Sequence, residues 1–507
     1  TGGYAIDPFL FETGFRSNRF WLVDPFTFIA SVLKLAVIPA YDVTTESGRR
    51  ILTSHIDGDG FVSAAEQQGV LAVDSVLSGQ VILDEILERY PIPHTVSIIQ
   101  GEISSSGKYP KLAPKAEPIA KKIFALPWVE IATHTYSHPF FWQYFEGNVN
   151  MTTLGYGFHM DIPGYQPDLE KEIIGSSNYI NNTLAPVDKS VKLLLWSGDA
   201  LPGKKALDLT VKQNLLNVNG GDTKVVRSSN SLAYIWPIGR PVGKNHQIYA
   251  PVMNENRYTN LWKGPFYGYR KVIETFELLE MPRRLKPISI YYHFYSGSKV
   301  ASMNALHDVY GWALNQKTTK LYLSQYAQRA TEFYAAGLAK EGDSTWLIKR
   351  PGVLNTVRVP SHIGPPDLAN SENIIGYNKV LNQYYIHLHP EKLARLTFYP
   401  ADRLNRPKGK RDVISNSTIP YVQDANGIIR SWDIKSLVSN KWRISLAADA
   451  GEDLELNIAN LTSCFSPNNG VVFTQKRRIL NSSESEKSVL KLQFHLKSLR
   501  GIQLDCY

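Results

Sequence analysis

Residues 49–60 read RRILTSHIDGDG, and residues 134–139 read HTYSHP. In the first stretch a short apolar run, 50–56, ends in Asp-Gly-Asp-Gly, the pattern of a strand followed by a turn. Side chains two apart on a strand share a face, so Asp57 and Asp59 are expected to point the same way from the strand's C-terminal end. His134 and His138 are four apart, a familiar spacing of metal ligands on a helix. Pro139 follows directly, which favours a strand-end loop or a single turn instead. One carboxylate and two imidazoles make three protein ligands and leave a position open for water, the arrangement of a catalytic zinc. The second carboxylate is then free to move a proton.

A calcium loop is the rival reading of the first stretch. HIDGDGFVSAAE places acidic groups at the third and fifth positions, glycine at the sixth and Glu66 at the twelfth. Its first position is His55, a poor calcium ligand. The residues before it look like a strand where such a loop needs a helix, and no second loop pairs with it.

Outward from these motifs the pattern alternates. Ser63 and Glu66 suggest a capping box opening a helix to about Tyr90. Strand-like runs follow at 94–100, 128–134, 191–196, 247–251 and 287–293. Helical runs lie at 114–126, 167–184, 204–217, 267–280, 300–315 and 321–340. Strands separated by helices argue a parallel sheet. This many units over roughly 290 residues favours an α/β fold whose (β/α) barrel is closed or nearly closed. Barrels of this kind keep their chemistry at the C-terminal ends of the strands. Both motifs fall there, as does His293 at the end of ISIYYH. A lone histidine at a strand end is more often a satisfied polar group, but one facing the same mouth is well placed as a general acid.

After Lys340 the texture changes to short β-type runs, 384–389, 396–399, 442–446 and 489–496, broken by Gly, Pro, Asn and Asp. The expected organisation is a connecting segment over 1–47, the barrel over 48–340 and a β-sandwich over 341–507.

Of the 507 residues, 43% are hydrophobic and 20% charged, ordinary for a globular protein with a core. The net charge is +9. Its 55 basic residues are dispersed, with no tract longer than KGKR at 408–411, so a solvated surface is expected rather than a nucleic-acid site. The longest apolar run, 26–38, is broken by Lys34 and falls short of a membrane span. Two cysteines, Cys464 and Cys506, are no disulfide framework. One bridge or two buried thiols remain open.

HTYSHP matches the H-[ST]-x-x-H-P signature of the polysaccharide deacetylases of carbohydrate esterase family 4, the NodB-like deacetylases. Asp57 and Asp59 stand where that family carries its Asp-Asp pair, and His293 in YYHFYSG resembles its late histidine. The longer phrases TTESGRRILTSHIDGDGF, HTYSHPFFW and LLWSGDALPG are similar to the deacetylase region of the PelA family of Pel exopolysaccharide production. The likeness covers about residues 24–340 and more loosely the whole chain. It implies a distorted, seven-stranded barrel of deacetylase type. It implies Asp57 as general base, His293 as general acid, and Asp59, His134 and His138 as ligands of a divalent metal, Zn2+ foremost. The implied substrate is an N-acetylated polysaccharide, handled in the bacterial periplasm beside exopolysaccharide export proteins. GGYAIDPF is similar to the end of the domain that precedes the deacetylase in that family, implying a fragment of a longer protein.

Three departures stand out. Gly58 separates the two aspartates. Trp196-Ser197-Gly198-Asp199 lacks the arginine that ordinarily holds the base, leaving Asp199 at a strand end as a supporting residue. The fourth motif is matched loosely, by Gly221-Asp222. The aromatic segment 140–167, with Trp142 and Tyr156, is a candidate substrate-lining loop, as is 249–262; ordinary packed insertions are equally expected. Two other functions compete. One is a non-catalytic carbohydrate-binding or scaffold protein, against which five chemistry-bearing residues weigh. The other is a peptidoglycan or chitin deacetylase of the same mechanism.

Overall fold

The structure is a computed structural model that describes residues 11–13, 19–66, 76–147, 157–349, 352–390, 393–399, 418–437, 440–467, 471–482 and 485–507. Its centre is a curled parallel sheet in a mixed α/β fold. The strands are β1 (Arg49–Asp57), β2 (His94–Ile98), β3 (Val129–Thr133), β4 (Val191–Leu195), β5 (Leu216–Val218), β6 (Ile288–His293) and β7 (Thr318–Lys320). They lie in the order β6-β1-β2-β3-β4-β5, with β7 on the N-terminal half of β1. Among the described residues no ladder joins β5 to β6, so the curl stays open between them.

Every residue of β1 is buried, as a parallel sheet covered on both faces requires. The two-residue period sorts the side chains. Leu52 and Ile56, Val96 and Ile98, and Ile288, Ile290 and Tyr292 face outward into the main core with the helices α1 (Ala113–Ala125), α2 (Lys204–Lys212), α3 (Val272–Leu278) and α4 (Val300–Leu314). The alternate set faces inward. Part of it shares an apolar cluster with α5 (Leu323–Phe333), where Leu323, Tyr326, Ala327 and Ala330 gather with Ala132, Leu193 and Leu195. Toward the C-terminal ends the inward set turns polar, through His55, Asp57 and His293.

Local differences from the sequence reading have local causes. No helix starts at Ser63. Ser63 O accepts from Ser78 N at 2.7 Å and Glu66 reaches Lys299 at 2.6 Å. Positions 67–75 of the expected helix lie outside the described residues, and among the described ones the next helical residue is Ser78. The helix expected through 217 ends at Lys212, because Asn214 turns left-handed (φ 56°) and releases the chain into β5. The helix expected through 340 stops at Phe333, and Gly337–Lys340 becomes a strand antiparallel to Thr345–Lys349.

Beyond it the regular elements among the described residues are strands, apart from one short helical turn at Ser361–Ile363. An eight-stranded sheet and a four-stranded sheet share one apolar core, with Val422, Leu456 and Leu492 meeting Trp432, Ile444 and Leu504. The eight-stranded sheet ends on Ala40–Tyr41, from ahead of β1, which pairs with Thr356–Pro360. Cys464 and Cys506 form a disulfide. Arg49, at the start of β1, reaches across to Asp424 at 2.7 Å, tying the parallel sheet to the β region.

Lys286, just ahead of β6, is 4% exposed and its ammonium donates to Pro237 O at 2.9 Å. Burial pushes its pKa down from 10.5 to about 7. Between those values the unfolded chain binds the extra proton, so this lysine costs stability at pH 7 and less as pH rises to 10. Lys286→Met is therefore expected to raise the melting temperature by a few degrees at pH 7, about 2 kcal/mol, with the gap closing toward pH 10. Differential scanning calorimetry at both pH values checks this; an equal gap at both would refute it.

Candidate metal centre and catalytic cleft

β1 ends at Asp57, so Asp59 does not ride on the strand as the two-residue period suggested; it reaches back from the turn. Gly58 makes that turn possible. A Cβ there would stand 2.6 Å from Ile99 N at the end of β2. Glu102 closes the turn by accepting from Gly60 N at 3.1 Å and Val62 N at 3.3 Å. Burial, and then the charge on Asp59, push Glu102 up to about 8.

His134 and His138 follow β3 and bring their Nε2 atoms to 3.1 Å and 2.9 Å from the two oxygens of Asp59. The donor atoms of Asp59, His134 and His138 all lie within 4.8 Å of one another. Asp59 Oδ2 is buried without a hydrogen-bond partner, although His134 Nε2 is close. This convergence of one carboxylate and two imidazole nitrogens fits a cation held by three protein ligands. Burial opposes charge on Asp59, but the imidazoles, His138 first, hold its carboxyl well below the usual range. Burial likewise opposes charge on His134, and Asp57 and Asp59 raise it above the ordinary histidine value.

Asp57 is 2% exposed and lies beside this set, its Oδ2 3.8 Å from His134 Nε2 and 3.7 Å from His293 Nε2. It is held without an arginine. The Tyr291 hydroxyl donates to Oδ2 at 2.7 Å, and Asn219 Nδ2 donates to both oxygens at 3.2 and 3.0 Å. Tyr291 lies on the inward face of β6, two residues before His293, and Asn219 directly follows β5. Asn219 has φ 97°, a conformation asparagine tolerates better than most residues. His55 stacks on Tyr291 with ring centroids 4.0 Å apart.

His293 faces the same point from β6. Its Nδ1 stands 3.0 Å from both oxygens of Glu255, which is 1% exposed and also accepts from the His293 backbone N–H at 3.0 Å. A carboxylate cannot donate, so Nδ1 carries hydrogen and Nε2 is left toward Asp57. Burial disfavours the imidazolium, but Glu255, then Asp59 and Asp57, push it up to about 10. Glu255 thus favours the protonated ring, the form that can give a proton.

The five sequence candidates Asp57, Asp59, His134, His138 and His293 thus line one open cleft of about 290 Å3, with Asp199, Asn219, Arg257, Leu261 and Tyr291. Asp199 accepts from Leu201 N at 3.0 Å while its own N–H donates to Phe140 O at 2.9 Å, so it braces the loop after His138. Burial raises its carboxyl above the ordinary range. Trp142 is fully buried, crossed edge-on by Trp196 at 4.7 Å, and donates to Ser197 O at 3.0 Å. It supports the loop and offers no open face to a sugar. Asp222 pairs with Arg257 at 2.9 Å, and Arg257 lines the cleft. Tyr156 lies outside the described residues. Of the other loop aromatics, Tyr144 stacks on Phe158 at 3.7 Å, and Tyr165 packs on Tyr136.

Asn219, Tyr291, Glu255 and Glu102 escaped the sequence reading. Glu255 carried a faint signal, lying inside the flagged segment 249–262.

No family model and no curated protein matches the chain. Among solved structures it is similar to the 4-alpha-glucanotransferase from Thermococcus litoralis, at 8% identity and TM-score 0.33 over 90% of this chain and 99% of that one. A likeness of that size carries no argument about function.

Proposed function

We propose that this chain is a metal-dependent N-deacetylase of N-acetylhexosamine units in a polysaccharide. The observation that supports it best is the pairing of a candidate three-ligand set, Asp59, His134 and His138, with a separate carboxylate, Asp57, and a separate histidine, His293, in one cleft. A bound divalent cation, Zn2+ foremost, supplies Lewis-acid polarisation of the amide carbonyl and acidifies water. Asp57 takes the proton from the attacking water while Tyr291 and Asn219 hold its carboxylate in place. A C–O bond forms and the C–N bond breaks. His293 gives its Nε2 proton to the departing amine, and Glu255 steadies the imidazolium until then. Acetate leaves, and a cationic hexosamine stays in the polymer.

The finer reading rests on the sequence resemblance. The curled sheet is read as a distorted seven-stranded barrel of deacetylase type, and the β region as a C-terminal β-sandwich. The substrate is read as a Pel-like exopolysaccharide of the biofilm matrix, deacetylated in the periplasm beside export proteins. A protein of charge +9 repels its cationic product at long range, which favours release.

The test is acetate release from N-acetylglucosamine and N-acetylgalactosamine oligomers, with chitin oligomers and peptidoglycan as parallel substrates. Zinc-dependent release is expected, lost with a chelator and restored by zinc. No release from any substrate defeats the enzyme reading in favour of a carbohydrate-binding protein. Release from peptidoglycan or chitin alone reassigns the substrate.

A further inference from the structure

The loop joining the two metal-facing histidines is strained, and a carboxylate with no part in the chemistry holds it. Thr135 and His138 both adopt left-handed backbone, at φ 74° and 55°. For residues with a side chain, and a β-branched one above all, that costs on the order of 1–3 kcal/mol each and persists only where surrounding contacts over-determine it. Two of those contacts are internal: Thr135 N donates to Thr133 Oγ1 at 3.2 Å, and His138 N donates to Thr135 Oγ1 at 3.0 Å. The others converge on Glu172, on the helical stretch 171–184, which is wholly buried. Its Oε2 accepts from Tyr136 N and Ser137 N, both at 2.9 Å. Its Oε1 accepts from the hydroxyls of Ser137 and Tyr165. Four donors therefore meet one acceptor-only group between the two histidines.

The His134 ring has less help of its own. Metal-binding histidines are ordinarily oriented through their second nitrogen. His134 Nδ1 is buried with no hydrogen-bond partner. Its direction is set instead through the backbone that carries it.

We propose that Glu172 is a positioning residue that presets His134 and His138 for the cation by gripping the backbone between them. This rests on the metal-centre reading above. It separates acceptor from bulk. Leucine at 172 fills similar space but leaves two buried N–H groups unpaired. Glutamine keeps an oxygen for those two N–H groups, while its NH2 faces hydroxyls that can turn to accept.

The experiment measures zinc affinity by competition with a chromophoric chelator, and the visible spectrum of the cobalt(II) protein as a signature of ligand geometry. Glu172→Leu is expected to bind zinc about 10–100-fold more weakly with an altered cobalt spectrum. Glu172→Gln should stay within about 3-fold of the parent, since the grip is retained. Glu130→Leu serves as the control: Glu130 accepts from Thr95 Oγ1 and Ser324 N, away from the cleft, so its loss should lower the melting temperature and leave zinc affinity alone. If Glu172→Leu does not accumulate folded, Glu172→Asp withdraws the carboxylate by one methylene and should weaken zinc in the same direction. Parent-like affinity and spectrum in the Leu or Asp variant, or an equal loss in the Glu130 control, overturns the proposal. A parent protein that binds neither zinc nor cobalt removes the metal-centre reading itself, a distinct result.

Discussion

Asp57→Asn is expected to lower amide hydrolysis by roughly a thousandfold while leaving zinc binding close to that of the parent. The cause is specific to this residue. Asp57 has two donors on its oxygens, from Tyr291 at 2.7 Å and from Asn219 at 3.0 and 3.2 Å. Those bonds fix its direction beside the three candidate ligands. Asparagine is nearly isosteric but accepts no proton, and its NH2 would face donors already in place. The variant therefore loses both the base and its orientation. Asp59, His134 and His138 keep their mutual geometry. The check is kcat on an N-acetylhexosamine oligomer with zinc stoichiometry measured on the same sample. A variant within threefold of the parent would remove Asp57 from the reaction.

His138→Ala should act from the other side, through the cation. One ligand of three is lost, and the remaining carboxylate and imidazole are expected to hold zinc at least a hundredfold more weakly. Activity should fall with occupancy and return in part at high zinc, which Asp57→Asn cannot do. Chelated and zinc-restored samples of both variants, assayed together, separate the two failures. Parent-like zinc affinity in His138→Ala would sink the ligand assignment.

The two variants also mark where the sequence was legible. The residues to which chemistry is assigned in the proposal could be found by local rules: a strand run ending in Asp-Gly-Asp-Gly, two imidazoles four apart after the next strand but one, and a histidine ending a late strand. The residues that make them usable could not. Tyr291 and Asn219 reach Asp57 from 234 and 162 positions away, and each alone reads as an ordinary polar residue. Asn219 was further hidden by a helical periodicity extended through 217. Asn214 breaks that helix, and the strand that replaces it delivers Asn219 to the cleft. The buried aromatic Trp142 illustrates the converse. Its type and place suggest a sugar platform, but burial against Trp196 makes it a brace.

The sequence by itself determined the alternation of strands and helices, the shift to β texture after Lys340 and the candidate ligand types, because each is a short-range matter of period, spacing and side-chain chemistry. Only the tertiary structure decided which carboxylate lies beside the three candidate ligands and which hold backbone or another side chain in place. Asp57, Glu102, Glu172 and Glu255 are all buried acids, and their burial alone does not tell them apart. Their partners do: backbone N–H groups for Glu102 and Glu172, an imidazole for Glu255, a tyrosine and an amide for Asp57. Those partners come from separate segments that meet only when the parallel sheet curls and its strand ends converge.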